Sequence, residues 1–114
     1  MKLNVSETPD QAAVVSFSTD NLDSSNVLEF REAMQQITAT HQVVVLDMQP
    51  LTFVDSSGLG ALLSCLRIMN GKNGQLRLFG MSKSVKALFE LVRMHRIFTI
   101  YTSRQEALED TAAA

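Results

Sequence analysis

The sequence predicts a small α/β domain built on a mostly parallel central sheet. Three observations carry that expectation. The run Val43-Val44-Val45-Leu46-Asp47-Met48 is continuously apolar apart from Asp47, as suits a buried strand in a parallel sheet covered on both faces. Leu59, Leu62, Leu63, Leu66 and Met69 recur at offsets of three, four and seven, which places one apolar stripe on a helix. Strand-like and helix-like segments then alternate to the end of the chain, the pattern of parallel strands joined by right-handed helical crossovers. The expected order is ββαβαβα(β)α, with about four to five strands and about four helices.

Each element follows from local chemistry. Leu3 and Val5 alternate with polar neighbours, giving a first strand, and Thr8-Pro9-Asp10 is a turn signal. Ala13-Val14-Val15-Ser16-Phe17 is a second strand, hairpin-paired with the first. Asp20 to Asn26 reads as a polar loop with one apolar residue, Leu22, and Asp23, Ser24 and Ser25 offer capping oxygens. Val27, Phe30, Met34 and Ile37 share a helical face, leaving Glu29, Arg31, Glu32, Gln35 and Gln36 to solvent.

The central strand ends at Gln49-Pro50, and a short extended segment leads into Asp55-Ser56-Ser57-Gly58 and the second helix. Asn70-Gly71 and Asn73-Gly74 stop that helix. Gln75 to Gly80 alternates as a strand. Ser82 caps a third helix whose inward residues are Val85, Leu88, Phe89 and Val92. Phe98-Thr99-Ile100-Tyr101 is a short last strand. Ser103 and Glu106 form a Ser-x-x-Glu capping box for a final helix through Ala107 and Leu108.

At 114 residues the chain is expected to be one domain, 1–114, large enough for a core without disulfides or metal. Residues 110–114 read as a disordered tail. The net charge of −2 gives no electrostatic case for nucleic acid or an anionic membrane, and neither is expected as a partner. One cysteine, Cys65, excludes an internal disulfide and agrees with a reducing compartment. The N-terminus lacks the apolar core of a signal peptide, and no apolar run approaches the roughly 20 residues of a membrane span. The expectation is a cytoplasmic protein, with a monomer as the default.

The chemistry concentrates at Asp55-Ser56-Ser57-Gly58. The first turn of a helix has unpaired N–H groups and the positive end of the dipole. Asp55 or Ser56 can cap those donors. A phosphate on Ser56 or Ser57 would be placed favourably at a helix N-terminus. A plain cap is the simpler reading of the local pattern, because every helix needs one.

Enzyme signatures are mostly absent. The sequence has no G-x-G-x-x-G after its first strand, no Walker loop and no G-x-S-x-G elbow. A hydrolase would need a histidine base within hydrogen-bond reach. His41 precedes the central strand and should lie at the sheet edge opposite Ser57. His95 sits after the third helix. Both are expected at the surface. One cysteine and two scattered histidines supply no metal site, and Cys65 falls beside core positions as an inert buried thiol. The methionines at 34, 48, 69, 81 and 94 read as core filler. Lys72, Lys83, Lys86, Arg93, Arg96 and Arg104 gather in the second half, either as solvated helix faces or as a docking surface for an acidic partner.

The central stretch resembles the STAS domain family, in particular its stand-alone anti-sigma factor antagonists. That family's core reads Leu-x-Phe-x-Asp-Ser-Ser-Gly-Leu-Gly. Leu51, Phe53, Asp55, Ser56, Ser57, Gly58, Leu59 and Gly60 all match it. Leu22-Asp23-x-x-Asn26 resembles the family's first loop, and Val85-x-x-Leu88-Phe89, Ile97-Phe98 and Glu106-Ala107-Leu108 resemble its tail. One departure is Ser18-Thr19-Asp20-Asn21, where many members have a Gly-Glu pair before Leu-Asp.

The resemblance implies partner switching. The unmodified antagonist binds an anti-sigma factor that is also a serine kinase of the HATPase type, and so frees the sigma factor. The kinase, with its own ATP and Mg²⁺, phosphorylates the second serine of the motif, here Ser57, with Ser56 second to it. The phosphorylated form lets go, and a PP2C-type phosphatase resets it. The protein is then a substrate and binding module and not an enzyme, with no cofactor or metal of its own. Its partner surface comprises Asp23, Asn26, Asp55, Ser56, Ser57, Gly58 and Leu59. The rival implied by the same fold is a non-phosphorylated STAS-like subunit of a transporter or stress assembly. A phosphate at a helix N-terminus gains roughly 0.3–1 kcal/mol from the dipole, so the switch is expected to act at the interface and not by unfolding the domain.

Overall fold

The computed structural model describes residues 2–109; the tail expected at 110–114 lies outside them. Five strands form the main sheet: β1 (Leu3–Glu7), β2 (Ala13–Phe17), β4 (Val43–Asp47), β6 (Gln75–Phe79) and β7 (Thr99–Tyr101), in the order β1-β2-β4-β6-β7. The β1–β2 pair is antiparallel and the other three pairings are parallel. Between them run α1 (Val27–Thr40), α2 (Ser56–Gly71), α3 (Lys83–Leu91) and α4 (Arg104–Glu109). The expected order and counts hold.

The two faces of the sheet are unequal, which the apolar run at 43–48 did not reveal. Successive residues of a strand point to opposite faces. Ala13, Val15 and Phe17 of β2, Val44 and Leu46 of β4, and Leu76 and Leu78 of β6 join one large core with Phe30 and Met34 of α1, Leu62 and Met69 of α2, and Val85 and Phe89 of α3. Phe17 and Phe30 stack there at 5.5 Å between ring centres. The opposite face holds a small cluster of Val14, Val45 and Phe79 under Ala107 of α4. Arg77 is buried on this side because its guanidinium donates to the Ala107 carbonyl at 2.7 Å and to Gln75. Both faces are covered, one by three helices and one by a single short helix.

The segment read as a loop from Asp20 to Asn26 contains a strand. β3 (Asn21–Leu22) pairs in parallel with β5 (Phe53–Val54) as a separate two-stranded sheet. Two residues are too few to show a period, so the sequence could not reveal β3. The departure Ser18-Thr19-Asp20-Asn21 is tied down here: the Asp20 carbonyl accepts from the Thr52 and Phe53 amides at 2.7 and 3.2 Å.

Capping follows the expectation at three helices and departs from it at one. Ser82 accepts from the Val85 amide and Ser103 from the Glu106 amide, while Asp55 caps α2. At α1 the capping residue is Asn26 and no side chain makes the cap bond. The Asp23 carbonyl takes the Asn26 and Val27 amides instead. Val92, expected to face inward, is exposed because α3 ends at Leu91 and Val92 is its cap.

Truncating the stacked pair tests this core. Phe30→Ala is expected to lower unfolding free energy by about 3–5 kcal/mol, read as a fall in the urea midpoint at unchanged slope.

Candidate functional site

The site is made where the small sheet meets the first turn of α2. Pairing of Leu22 with Val54 sets the first loop beside the strand that feeds the helix, and the Asp55 amide donates to the Leu22 carbonyl at 3.2 Å. Gly58 permits this approach. A Cβ there would stand 2.4 Å from the Leu22 oxygen and 3.0 Å from Val54 Cγ1.

One carboxylate joins the parts. Asp55 Oδ1 accepts from the Gly58 amide at 2.9 Å, which caps the helix, and from the Ser57 hydroxyl at 2.6 Å. Asp55 Oδ2 accepts from the Ser24 amide of the loop at 3.0 Å. The Ser57 hydroxyl, then the Gly58 amide, hold the Asp55 carboxyl below the usual carboxylate range, because each donor favours the charged form.

The loop has its own network. Asp23 accepts from the Ser25 hydroxyl and amide and from Asn21 Nδ2. Asn26 Oδ1 accepts from the Asp23 amide at 3.0 Å, and Asn26 Nδ2 donates to the Asn21 carbonyl at 2.9 Å. The Asp23 carboxyl is also lowered, first by Ser25 and then by Asn21, with the nearby Asp55 charge opposing. Both carboxyls are depressed in the folded state. Their ionised forms therefore add stability at neutral pH, and this is lost as acid brings the pH down through the lowered values.

The structure sorts the residues expected at a partner surface. Ser56 is exposed, while Asp23, Asp55 and Ser57 are half-buried at the rim. Asn26 and Gly58 are buried and shape the loop from within. Leu59 belongs to the core and supports the turn from beneath, so it has little surface to offer a partner. The two serines differ: the Ser57 hydroxyl is oriented by Asp55, whereas among the described residues no bond involving the Ser56 hydroxyl fixes it.

Sequence reasoning missed Phe53 as a surface residue. On β5 its neighbour Val54 turns inward, and Phe53 turns outward, 54% exposed, two residues before Asp55. A period of two would put Phe53 on the same side as the buried Leu51, so the local pattern pointed the wrong way. Across from it, Ser84 of α3 donates to the Thr52 carbonyl at 3.0 Å, so the start of α3 borders the same face.

Groups that could support catalysis lie elsewhere. His41 is not at the surface as expected: its side chain is 13% exposed, and Nε2 lies 2.7 Å from Glu7 Oε1. Its Nδ1 lies 3.0 Å from the Ile37 carbonyl. The last turn of α1 and the end of β1 hold the ring. Burial pushes the Cys65 thiol up to about 11, which keeps it protonated and unreactive. Among the described residues no group of three or more His, Cys, Asp or Glu is placed to hold a metal ion, and no helix is long and apolar enough to cross a membrane.

Comparison with known proteins agrees with this architecture. The STAS domain model matches residues 4–107. An anti-sigma F factor antagonist of Paenibacillus polymyxa is 30% identical over 83 residues, covering 73% of this chain and 69% of the relative. An anti-sigma-factor antagonist (STAS) domain protein of Planctomyces limnophilus superposes with a TM-score of 0.85 at 20% identity, over 93% of this chain and 94% of that one. The anti-sigma factor antagonist SpoIIAA in its unphosphorylated form gives 0.72 at 18% identity, over 97% of both chains. The chain belongs to the STAS domain family.

Two measurements test the site's geometry. In Ser57→Ala, the Asp55 pKa followed by NMR is expected to rise towards the ordinary carboxylate value, since its strongest donor is gone. An unmoved value would mean the serine does not bond the carboxylate. Gly58→Ala is expected to lower stability by about 1–3 kcal/mol, because Leu22 or the helix must shift to admit the methyl group; a urea melt reads the loss.

Proposed function

We propose that this chain is an anti-sigma factor antagonist that works by partner switching at Ser57. The observation carrying the reading is the serine hydroxyl held by Asp55 at the N-terminus of α2, on a rim that has an acceptor for phosphate but no catalytic base, metal cluster or reactive thiol. The family and the antagonists among its relatives support the same reading.

In this mechanism the unmodified face docks on an anti-sigma factor/serine kinase of the HATPase type. Phe53 supplies an aromatic anchor, and Ser56, Ser57, Asp23 and Asp55 supply the polar rim. Exposed aromatic residues at such faces commonly dominate binding energy. The kinase brings ATP and Mg²⁺. Ser57 Oγ bonds to the γ-phosphorus, ADP leaves, and the hydroxyl proton is given up. Asp55 accepts that hydroxyl in the resting state and so orients the nucleophile. Its lowered pKa makes it a weak base, so the role assigned to it is positioning, with proton removal left to the kinase.

The product carries about −1.5 to −2 charge at neutral pH. Phosphorylation removes the donor that Asp55 accepts and sets two anions side by side. The phosphoryl group therefore turns outward from Asp55, across the docking face, where it meets the partner. A loss of about 2.8 kcal/mol in binding weakens affinity a hundredfold. A PP2C-type phosphatase restores the hydroxyl.

Wild type, Ser57→Ala, Ser57→Asp and Phe53→Ala are to be compared as baits in lysate of the native cell. Wild type and Ser57→Ala are expected to retain one kinase-like protein that Ser57→Asp loses and Phe53→Ala holds at least tenfold more weakly. Incubation with that kinase and ATP should place phosphate on Ser57 and nowhere on Ser57→Ala. Equal retention by all four baits would overturn the proposal and favour a structural subunit in which Asp55-Ser56-Ser57 is only a cap.

A further inference from the structure

The overall charge of −2 conceals a segregated one. Between residues 83 and 97, Lys83, Lys86, Arg93 and Arg96 stand against Glu90 alone, a net +3, which leaves −5 on the rest of the chain. These four cations are exposed and form no ion pair among the described residues.

The same segment holds apolar surface. α3 ends at Leu91, and a 3-10 turn follows at Met94–Arg96. Arg93 between them is left-handed, with φ of 61°, a conformation a long side chain adopts uncommonly and glycine readily. Six of the seven residues from 91 to 97 are exposed and only Met94 packs back on the core. Leu91 is 80% exposed, and Val92 and Ile97 are 42% and 49% exposed. Leu-Val-Arg-Met-His-Arg-Ile is thus an exposed tip of α3 without an acidic residue, in which large apolar and cationic side chains are interspersed.

We infer that this tip is a contact site for an anionic lipid surface, with Leu91, Val92 and Ile97 entering the headgroup boundary while Lys86, Arg93 and Arg96 meet the phosphates. Interleaved charge and hydrocarbon need a partner that offers anions and an apolar layer a few ångströms apart. A bilayer offers that at every point without any matching of residues. Long cationic side chains lay their stems along the apolar layer and keep their heads at its edge. An acidic protein would need both a row of carboxylates and apolar pockets in register with this one tip. The tip lies at the far end of α3, about 12 Å along the helix from Lys83 beside the Ser57 face, so the inference stands apart from the partner-switching reading.

Sedimentation with vesicles tests it directly. The purified wild-type chain is expected to bind phosphatidylglycerol/phosphatidylcholine vesicles, to ignore pure phosphatidylcholine, and to dissociate as salt rises. At about fivefold per cation, Lys86→Gln with Arg96→Gln should weaken binding roughly thirtyfold. Arg93→Gly, which suits the left-handed backbone, should weaken it about fivefold without loss of fold. Leu91→Ser keeps every charge and should still cost about tenfold through lost apolar contact. No binding to the anionic vesicles, or unchanged binding in Leu91→Ser, would overturn the inference. Capture by polyglutamate beads without capture by vesicles would do the same and assign the tip to an acidic protein.

Discussion

The Asp55 carboxylate is the joint on which the site depends. It satisfies a helix amide at Gly58, fixes the Ser57 hydroxyl and receives the Ser24 amide from a loop 31 positions earlier in the chain. No neutral side chain of that length accepts from all three donors at once. Its lowered pKa reflects the same bonds: the donors favour the ion, and the ion in turn holds the donors. The Ser57 hydroxyl, the helix cap and the first loop are thereby one unit.

That unit rests on a tightly packed base. Gly58 brings the α2 backbone against the Leu22 carbonyl, and Leu22, Val54 and Leu59 close the space beneath as core residues. A charge added at Ser57 meets a rigid floor and an anion at one side. The direction left to it is outward. The helix dipole by itself favours the added charge; Asp55 opposes it at short range. Both effects leave the fold in place and put the consequence on the surface, which is what a reversible binding module requires.

Much of this was legible in the sequence. Val43 to Met48, the stripe from Leu59 to Met69 and the caps Ser82, Ser103 and Asp55 each follow from period and local hydrogen-bond chemistry, and each is found. The features that were hidden depend on contacts between distant segments. β3 is two residues long and exists because Phe53–Val54 lies beside it. His41 is covered by Glu7, 34 positions away. Arg77 breaks the apolar pattern of β6, and only the arrival of the α4 carbonyl explains its burial. Val92 satisfies the helical period, yet α3 stops one residue before it.

Composition failed in a comparable way. A net charge sums over the molecule, whereas a surface acts through its local field. Here Asp20, Asp23 and Asp55 sit around the serine face, whereas Lys83, Lys86, Arg93 and Arg96 lie along α3 and just beyond it with Glu90 as their one acid. Leu91 and Ile97 would count as core residues by type. Leu91 lies on the outer side of α3, two residues after the buried Phe89, and Ile97 follows the left-handed Arg93 and the 3-10 turn. Where a helix ends and which way its last side chain faces thus decide whether an apolar residue adds to the stability of the domain or to what it can touch.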